Sequence, residues 1–322
     1  MNILLWHMHA AWTSSLVQGK HRYLIPVTPD RGPFGRGRAR TYDWPDTVEE
    51  RTPAQLADDD IDVVIAQSPE EVELATRWIG RRVGRDIPLV YVEHNTPKGA
   101  VPDSRHPMAD RDDVVVAHVT HFNAAFWDTG ATRCTVIEHG IQTPVPRWTG
   151  ELDRIGVAIN EPVRRWRTTG TDLLPRFAAV APVDVFGIDA AALPERLGLP
   201  GEAVVGHDDP PQAAMHAAMA RRRLYLHPHR WTSLGLSLLE AMAMGMPAVV
   251  FATTDAIAAV PPQAGVLSTN LDELVDGARW LVEDASAAAR VGRKAAEAVR
   301  ARYGVDRFLA DWDRLLEEAT CG

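Results

Sequence analysis

The segment HRWTSLGLSLLEAMAMGMPAVV (residues 229–250) predicts a helix between two buried strands. Its apolar run at 236–244 is stopped by Gly245 and Pro247, which are typical of helix ends. The run RLYLH (223–227) precedes it and PAVV follows it, and both show the continuous hydrophobicity of strands that are covered on two faces. A strand, helix, strand order of this kind indicates a parallel β-sheet.

The same alternation extends over the whole chain. Apolar runs rich in Val and Ile occur at 2–6, 62–66, 88–92, 114–119, 134–138, 154–159, 183–187, 202–206, 247–252 and 265–268. Helical patterns lie near 171–180, 210–221 and 271–284, and residues 285–319 are helical only. Ser68, Pro69 and Glu71 mark a further helix start. We therefore predict an α/β protein with two Rossmann-like domains that face each other across a cleft, followed by a C-terminal helical tail.

A chain of 322 residues is long enough for two domains of about 150 residues each. The segment TPVPRWTGELDR (143–154) is rich in proline and turn formers, so we place the boundary there. The predicted domains are 1–148 and 149–302, and a helix at 303–322 is expected to pack back towards the N-terminal domain.

The charge balance argues against a nucleic-acid-binding protein, because 34 Lys and Arg stand against 43 Asp and Glu, a net charge of −9. Two cysteines far apart in sequence do not suggest a disulfide framework. We read no signal peptide in MNILLWHMHAAW and no apolar span of 18 residues. The expected location is the cytoplasm, with at most peripheral contact with the inner face of a membrane.

The start of the helix at 236–244 is a candidate anion site. A helix N-terminus presents free backbone N–H groups and the positive end of its dipole to an anion such as a diphosphate, and Gly235 lets the backbone approach closely. Glu240 lies about one turn into the helix, where its two oxygens are able to accept both hydroxyls of a ribose. The alternative is a capping box in which Ser237 and Glu240 only close the helix end.

The order H-P followed by G-L-S-L-L-E-A-M-A-M-G-M-P-A-V-V resembles the donor-binding signature of retaining glycosyltransferases with the GT-B architecture, particularly glycosyltransferase family 4. The resemblance implies that a sugar moves from a nucleotide-diphosphate sugar to a hydroxyl acceptor with retained configuration. The acceptor would be a glycan, a lipid-linked compound or a small molecule. It also implies that the N-terminal domain holds the acceptor, that the C-terminal domain holds the donor, and that neither a metal nor another cofactor is needed.

The resemblance assigns Glu240 to the nucleotide ribose. The family has a second glutamate eight positions earlier that contacts the transferred sugar, and Thr232 stands there instead. The sugar contact then falls to a hydroxyl, to Ser233, or to the backbone amides of Leu234, Gly235 and Leu236.

A basic pair that neutralises the donor diphosphate in the family corresponds to the region of Arg164, Arg165 and Arg167. Spacing favours Arg164, and the planar guanidinium suits phosphate oxygens. The usual Lys-Gly pair is replaced by a Thr-Gly pair, and a solvated loop is the alternative for all three arginines. His207, near the end of its strand, is expected near the nucleotide base.

In the N-terminal half, VYVEHNTPKG (90–99) resembles the family segment whose strand ends at a histidine near the reacting carbon. His94 is the match and is assigned a catalytic positioning role, as are Arg164 and Thr232; a structural histidine is the alternative. The acceptor is expected against loops 9–15 and 94–99. The residues assigned to it are His9, Trp12, Thr13 and Asn95. Trp12 would stack on a sugar ring; simple packing, which is more common for a single tryptophan, is the alternative.

A metal site is not predicted, although His7-x-His9 places two rings on one face of a strand. The glycine-rich stretch 31–40 does not lie between a strand and a helix, so a nicotinamide or P-loop site is discounted. Two alternatives to transfer stay open on the same fold, namely a non-catalytic nucleotide-sugar-binding protein and a nucleotide-sugar epimerase. The sugar, the acceptor and the oligomeric state are not determined by these patterns.

Overall fold

The computed structural model describes residues 1–321, which form two parallel β-sheets flanked by helices. The strands are β1 (Asn2–Leu5), β2 (Arg22–Pro26), β3 (Val48–Arg51), β4 (Val63–Ala66), β5 (Leu89–Glu93), β6 (Val115–His118), β7 (Arg133–Val136), β8 (Leu152–Ala158), β9 (Val183–Gly187), β10 (Val204–Asp208), β11 (Arg222–His227), β12 (Ala248–Phe251) and β13 (Gly265–Ser268). The helices are α1 (Ala10–Leu16), α2 (Pro53–Asp58), α3 (Pro69–Ile79), α4 (His121–Phe126), α5 (Pro162–Arg165), α6 (Leu174–Ala178), α7 (Leu193–Leu197), α8 (Gln212–Met219), α9 (Leu236–Met244), α10 (Ala256–Ala259), α11 (Leu271–Glu283), α12 (Ala285–Arg302) and α13 (Val305–Thr320). Within residues 1–321, no helix has the length and hydrophobicity that crossing a membrane requires.

Each sheet belongs to its own compact unit. The first unit contains Met1–Gly140 and the residues from Val305 onward, and the second contains Ile141–Gly304. The strand order is β3-β2-β1-β4-β5-β6-β7 in the first sheet and β10-β9-β8-β11-β12-β13 in the second. Neighbouring strands run parallel throughout. The predicted α/β fold with two Rossmann-like sheets is therefore confirmed.

The division between the units falls eight residues before the predicted boundary at 148. Gly140 belongs to the first unit, where a Cβ on it would clash with Phe308. The proline-rich segment already belongs to the second unit, because Trp148 N donates to Met244 O at 3.0 Å and Trp148 Nε1 donates to Arg222 O at 2.8 Å. The turn-rich segment is therefore part of the second unit and not a free linker between the two units.

Strands β2 and β3 were not predicted from the hydrophobic pattern. β3 has the sequence VEER, of which only Val48 is buried. It lies at the edge of the sheet, where Glu49 accepts a hydrogen bond from Arg22 Nε at 2.6 Å. An edge strand with charged side chains does not show the continuous hydrophobicity of a central parallel strand.

Helix α3 begins as its sequence predicts. Ser68 Oγ accepts from Glu71 N at 3.3 Å, and Pro69 occupies the first helical position. The Glu71 carboxylate accepts from Gln67 N at 2.6 Å and is fully buried, and burial raises its pKa to about 8. The helix ends at Gly80 in the left-handed conformation, as is common for helix C-termini.

Helix α13 packs within the first unit. Trp312 lies edge-on to Trp12 with ring centroids 5.5 Å apart, and both rings are almost fully buried. Arg307 donates to the carbonyls of Glu138 at 3.0 Å and His139 at 2.5 Å. The C-terminal helix therefore completes the core of a unit whose other elements all precede residue 141.

Helix α9 forms at the residues that the opening segment predicts, and it ends at Gly245 with φ of 93°. Residues 238–244 are all buried, and all of them except Glu240 are apolar, which is expected for a helix in the core. It packs against α12 so closely that a Cβ on Gly292 would clash with the carbonyl of Gly245. The contact with α12 therefore fixes the position of the C-terminal end of α9.

Candidate functional site

The second sheet changes direction between β8 and β11. The chain adds β9 and β10 on one side of β8 and then places β11, β12 and β13 on the other side. In open parallel sheets, ligands bind beyond the carboxyl ends of the strands at such a switch point. We therefore expect a ligand site at the loops that follow β8 and β11.

These two loops are held together by direct contacts. Arg230 N donates to Thr168 O at 2.9 Å, and its guanidinium donates to Asp172 Oδ1 at 2.6 Å. Gly170 lies against the carbonyl of Pro228 with φ of 72°, and a Cβ there would clash with that carbonyl. The loop after β8 and the loop after β11 thus form one surface.

The N-terminus of α9 opens onto this surface. Gly235 is the N-cap residue, and no side chain closes the helix end. In residues 1–321, the N–H groups of Leu236 and Ser237 have no hydrogen-bond acceptor. A Cβ on Gly235 would clash with the buried ring of His227, so only glycine fits at this turn. The helix end therefore offers free donors and a positive dipole to an anion.

Glu240 is held at the same end of the unit by two side chains of α8. Its Oε1 accepts from Gln212 Nε2 at 3.1 Å, and its Oε2 lies 3.1 Å from His216 Nε2. Ser237 Oγ instead lies 2.9 Å from the hydroxyl of Tyr225. The capping box of Ser237 and Glu240, left open by the sequence, does not form. The carboxylate is 11% exposed, and each oxygen keeps a further lone pair for a ligand hydroxyl.

The three arginines of the loop after β8 differ in their partners. Arg164 is exposed, and its Nε donates to Glu161 Oε1 at 2.6 Å; Arg167 is exposed and pairs with Asp172 at 3.0 Å. Arg165 is partly buried and makes neither an ion pair nor a side-chain hydrogen bond within the described chain. Burial lowers the pKa of Arg165, and the charge of Arg164 lowers it further. Sequence spacing favours Arg164 for an anion, whereas the geometry favours Arg165.

Two histidines at the end of β11 were missed as site residues. The rings of His227 and His229 stack with centroids 4.3 Å apart, and both residues are buried. Burial lowers the pKa of His227 to about 3 and that of His229 far below its usual value, so both are neutral at pH 7. Both Nδ1 atoms are buried without a partner, which favours the proton on Nε2. The sequence did contain one signal for them, because the two histidines flank a proline in HPH at the end of a predicted strand.

The remaining residues that the sequence assigns to the sugar donor lie in different surroundings. Thr232 and Ser233 follow β11 in the same loop, with Thr232 partly exposed and Ser233 buried. Leu234 is part of the core and Leu236 packs against it. Their side chains are therefore engaged in packing, and only their backbone amides are left to bind a ligand. The sequence assignment of this loop to a ligand remains a prediction.

His207 lies on the edge strand β10 rather than beside β11. Its Nε2 is 2.9 Å from Asp184 Oδ1, and its ring stacks flat on Phe186 with centroids 4.5 Å apart. Asp184 also accepts from Arg154 and Arg222 at 2.5 and 3.0 Å, so His207 belongs to a buried ionic cluster. Two strands separate it from the N-terminus of α9.

In the first unit, His9 and His94 lie beyond the carboxyl ends of β1 and β5. Their rings are 3.9 Å apart, and Trp12 lies edge-on to His94 at 4.9 Å. Burial lowers the pKa of His9 to about 4 and that of His94 well below its usual range. The Nε2 atom of His94 is buried without a hydrogen-bond partner. A neutral, closely packed ring of this kind is suited to positioning rather than to charge stabilisation.

The other residues assigned to the sugar acceptor differ in their exposure. Trp12 is 1% exposed and Thr13 is 0% exposed, so neither side chain presents a surface to a ligand, and the packing alternative describes Trp12. Asn95 is exposed, with its backbone N donating to Glu93 Oε1 at 2.6 Å and its carbonyl accepting from Trp127 at 2.9 Å. Its side-chain amide makes no hydrogen bond within the described part of the chain and is available to a ligand. Over residues 1–321, no group of three or more His, Cys, Asp or Glu side chains is placed to hold a metal ion.

Comparison with known proteins adds family and fold information. Residues 182–284 match the family model described as glycosyl transferases group 1. This range contains β11, the loop after it and α9. No curated protein matches the chain.

Solved structures resemble the chain over most or all of its length. A sucrose-phosphate synthase from Thermosynechococcus elongatus is 11% identical with a TM-score of 0.73, and the match covers 99% of this chain and 98% of that one. HepE from Anabaena, solved with UDP and glucose, is 16% identical with a TM-score of 0.70, covering 99% and 100%. TarM from S. aureus is 17% identical with a TM-score of 0.60, covering 79% and 55%. These likenesses show the GT-B fold.

Proposed function

We propose that this chain, with its GT-B fold and its group 1 glycosyl transferase segment, transfers a sugar from a nucleotide-diphosphate sugar to a hydroxyl acceptor. The second unit would bind the donor, and the first unit would bind a glycan, a lipid-linked compound or a small molecule. HepE was solved with UDP and glucose, which supports a nucleotide sugar as the donor class.

One observation carries the proposal: a partly buried guanidinium without an acceptor adjoins a helix end with free N–H groups. The charge of Arg165 acts on His229, the ring of His229 stacks on His227, and His227 touches Gly235 at the start of α9. An anion bound between Arg165 and the start of α9 would contact the guanidinium, the free amides and the Nε2–H groups of the two neutral histidines. Because a diphosphate leaves with added negative charge, donors fixed in this way lower the barrier of transfer.

Glu240 would accept the ribose hydroxyls of the donor. Gln212 and His216 hold its two oxygens in place, so the carboxylate is oriented before a ligand binds. Such preorganisation lowers the ordering cost of binding.

Retention of configuration and independence from metal ions are proposed from the resemblance to glycosyltransferase family 4. In a same-face attack the leaving phosphate takes the acceptor's proton, so no separate base is required. The neutral rings of His94 and His9 would then position the acceptor together with Asn95. Thr232, in place of the family's glutamate, would contact the transferred sugar through its hydroxyl.

Transfer is tested by incubating the purified chain with UDP, GDP or ADP sugars, with and without candidate acceptors, and analysing the products. We expect a glycosylated acceptor and free nucleotide diphosphate only when both substrates are present. A donor that is epimerised without acceptor would favour the epimerase alternative. A donor that binds and stays intact with every acceptor would favour the non-catalytic alternative.

The assignment of Glu240 is tested by Glu240→Ala, with Glu195→Ala on the exposed side of α7 as the matched control. We expect Glu240→Ala to weaken nucleotide binding at least tenfold in calorimetry, about 1.4 kcal/mol. The control should bind as the original chain does. Equal affinity in both variants would place the ribose elsewhere.

A further inference from the structure

We propose that a cavity at the C-terminal end of α9 is a second ligand site, which takes a small organic phosphate. The cavity lies in the second unit and has a volume of about 310 Å³. The residues that give it its character are Arg147, Trp148, Met244, Arg293, Glu297 and Arg300.

Three exposed arginines line this cavity. Within residues 1–321, Arg147, Arg293 and Arg300 form no ion pair and no side-chain hydrogen bond. Glu297 is the single acid in the lining; it pairs with Lys294 at 2.6 Å, and the charges of Arg300 and Arg293 also lower its pKa. In a chain of net charge −9, most arginines have a carboxylate partner, as Arg230 has in Asp172. One carboxylate shared with Lys294 does not balance three guanidinium groups, so a bound anion would stabilise them, and phosphate oxygens fit their planar forks.

The rest of the lining is apolar and fixed. The Trp148 ring is oriented by the hydrogen bond from its Nε1 to Arg222 O at 2.8 Å, and Met244 lies beside it in the lining. Gly245 and Gly292 bring α9 and α12 into backbone contact beneath the cavity. A preformed hollow with one charged side and one aromatic side suits a phosphate attached to a hydrocarbon or aromatic body. Inorganic phosphate alone would leave the aromatic side uncovered.

This site is separate from the proposed donor site. The N-terminus of α9 faces the donor, whereas the cavity lies at its other end, about 13 Å away along nine residues. The dipole of α9 disfavours an anion at its C-terminal end. The attraction must therefore come from the arginines, and binding should depend strongly on them.

Calorimetric titration of the full chain with phenyl phosphate, inorganic phosphate and phenol tests the proposal. We expect phenyl phosphate to bind more tightly than either fragment. The double variant Arg293→Gln/Arg300→Gln should weaken phenyl phosphate binding at least tenfold. The matched control is Arg290→Gln, which changes an arginine of the same helix that lies outside the cavity lining. All three positions are exposed on α12, and a melting curve checks that each variant is folded.

A third variant separates this site from the donor site. Arg165→Gln should keep phenyl phosphate binding unchanged. The proposal is overturned if phenyl phosphate fails to bind at millimolar concentration, if the double variant binds it as tightly as the Arg290→Gln chain, or if Arg165→Gln abolishes binding. Inorganic phosphate or phenol binding as tightly as phenyl phosphate would also overturn it, because one side of the cavity would then contribute nothing.

Discussion

The two units place different chemistry at the same point of the same topology. Both sheets begin with a central strand, add two strands on one side and then continue on the other. In the first unit the side chains beyond the central strands are neutral rings, including His9, His94 and Trp12. In the second unit the corresponding surface carries Arg165 and the free N–H groups of α9.

Topology and side chains decide different properties of a ligand site. A switch point in a parallel sheet creates a place for a ligand, but the groups at the loop ends set its charge. A diphosphate needs cations and amide donors, which the second surface presents. An uncharged hydroxyl compound needs positioning without charge, which the first surface presents. The proposed division into donor and acceptor units follows from this difference.

The largest expected effect tests whether the rings of the first unit are structural. Trp12→Ala removes a ring that is 1% exposed and contacts Phe308 and Trp312, so we expect a loss of about 3–5 kcal/mol in the free energy of unfolding. Trp280→Ala, at a ring that is 44% exposed, is the control and should change stability by no more than about 0.5 kcal/mol. Urea denaturation measures both. Equal losses in the two variants would show that Trp12 is not a core residue.

The next effect concerns the helix end of the second unit. Gly235→Ala places a methyl group against the buried ring of His227 and shifts the start of α9, so we expect UDP binding to weaken about a hundredfold, or about 2.7 kcal/mol. Gly201→Ala is the control, because a Cβ there meets no other atom. Calorimetry with UDP gives both affinities. Unchanged binding by the Gly235 variant would remove α9 from the nucleotide site.

A third test addresses a property that the units share, namely buried neutral histidines. Burial lowers the pKa of His139 in the first unit and of His227 in the second to about 3. Because these folded-state pKa values lie below the unfolded value near 6.5, the unfolded chain binds more protons between them. Stability is then fully present above pH 6.5 and decreases as the pH falls, by about 1–2 kcal/mol per ring at pH 5.

This pH dependence is measured by urea denaturation at pH 7.5 and pH 5. His139→Gln and His227→Gln should each reduce the difference between the two pH values, whatever their effect on stability at pH 7.5. His121→Gln, at an exposed histidine, is the control and should leave the difference unchanged. A difference that persists in full in both buried-site variants would contradict the assignment.

The smallest effect distinguishes neighbouring arginines of the second unit. Arg165→Gln should weaken UDP binding about tenfold, or 1.4 kcal/mol, because it removes a partly buried cation without another partner. Arg164→Gln should change it less than about threefold, because Arg164 is exposed and paired with Glu161. The reverse order of effects would restore Arg164, the residue that sequence spacing favours, as the diphosphate contact.

Much of the fold was predictable because central parallel strands and core helices have strong hydrophobic patterns. The helix at 236–244 and the strand at 183–187 form at the predicted residues. The edge strand β3 was missed, since its charged side chains interrupt any apolar run. The division between the units also lies earlier than proline and turn content predicted, because contacts of Gly140 and Trp148 determine which unit holds each side of it.

The candidate site was predictable to the level of its segments but not of its side chains. The loop after β11 and the first turns of α9 were identified from one stretch of sequence. Trp12 and His207 have residue types that fit a site, yet Trp12 is in a core and His207 is in an ionic cluster with Asp184. Residue type does not reveal which side chains already have partners inside the protein.

The sequence by itself determined the parallel α/β architecture, the position of α9 and the presence of a carboxylate near its start, because hydrophobic period, glycine and proline act through local geometry. Only the tertiary structure decided that, of the three arginines in the loop after β8, Arg165 has no ion pair within residues 1–321. It also decided that Glu240 is held by Gln212 and His216, and that the rings of His9 and His94 lie together. Those facts depend on residues that are far apart in sequence and meet only when the sheets form. The burial of a side chain, its hydrogen-bond partners and its pKa depend on these tertiary contacts, so a local sequence pattern does not determine them.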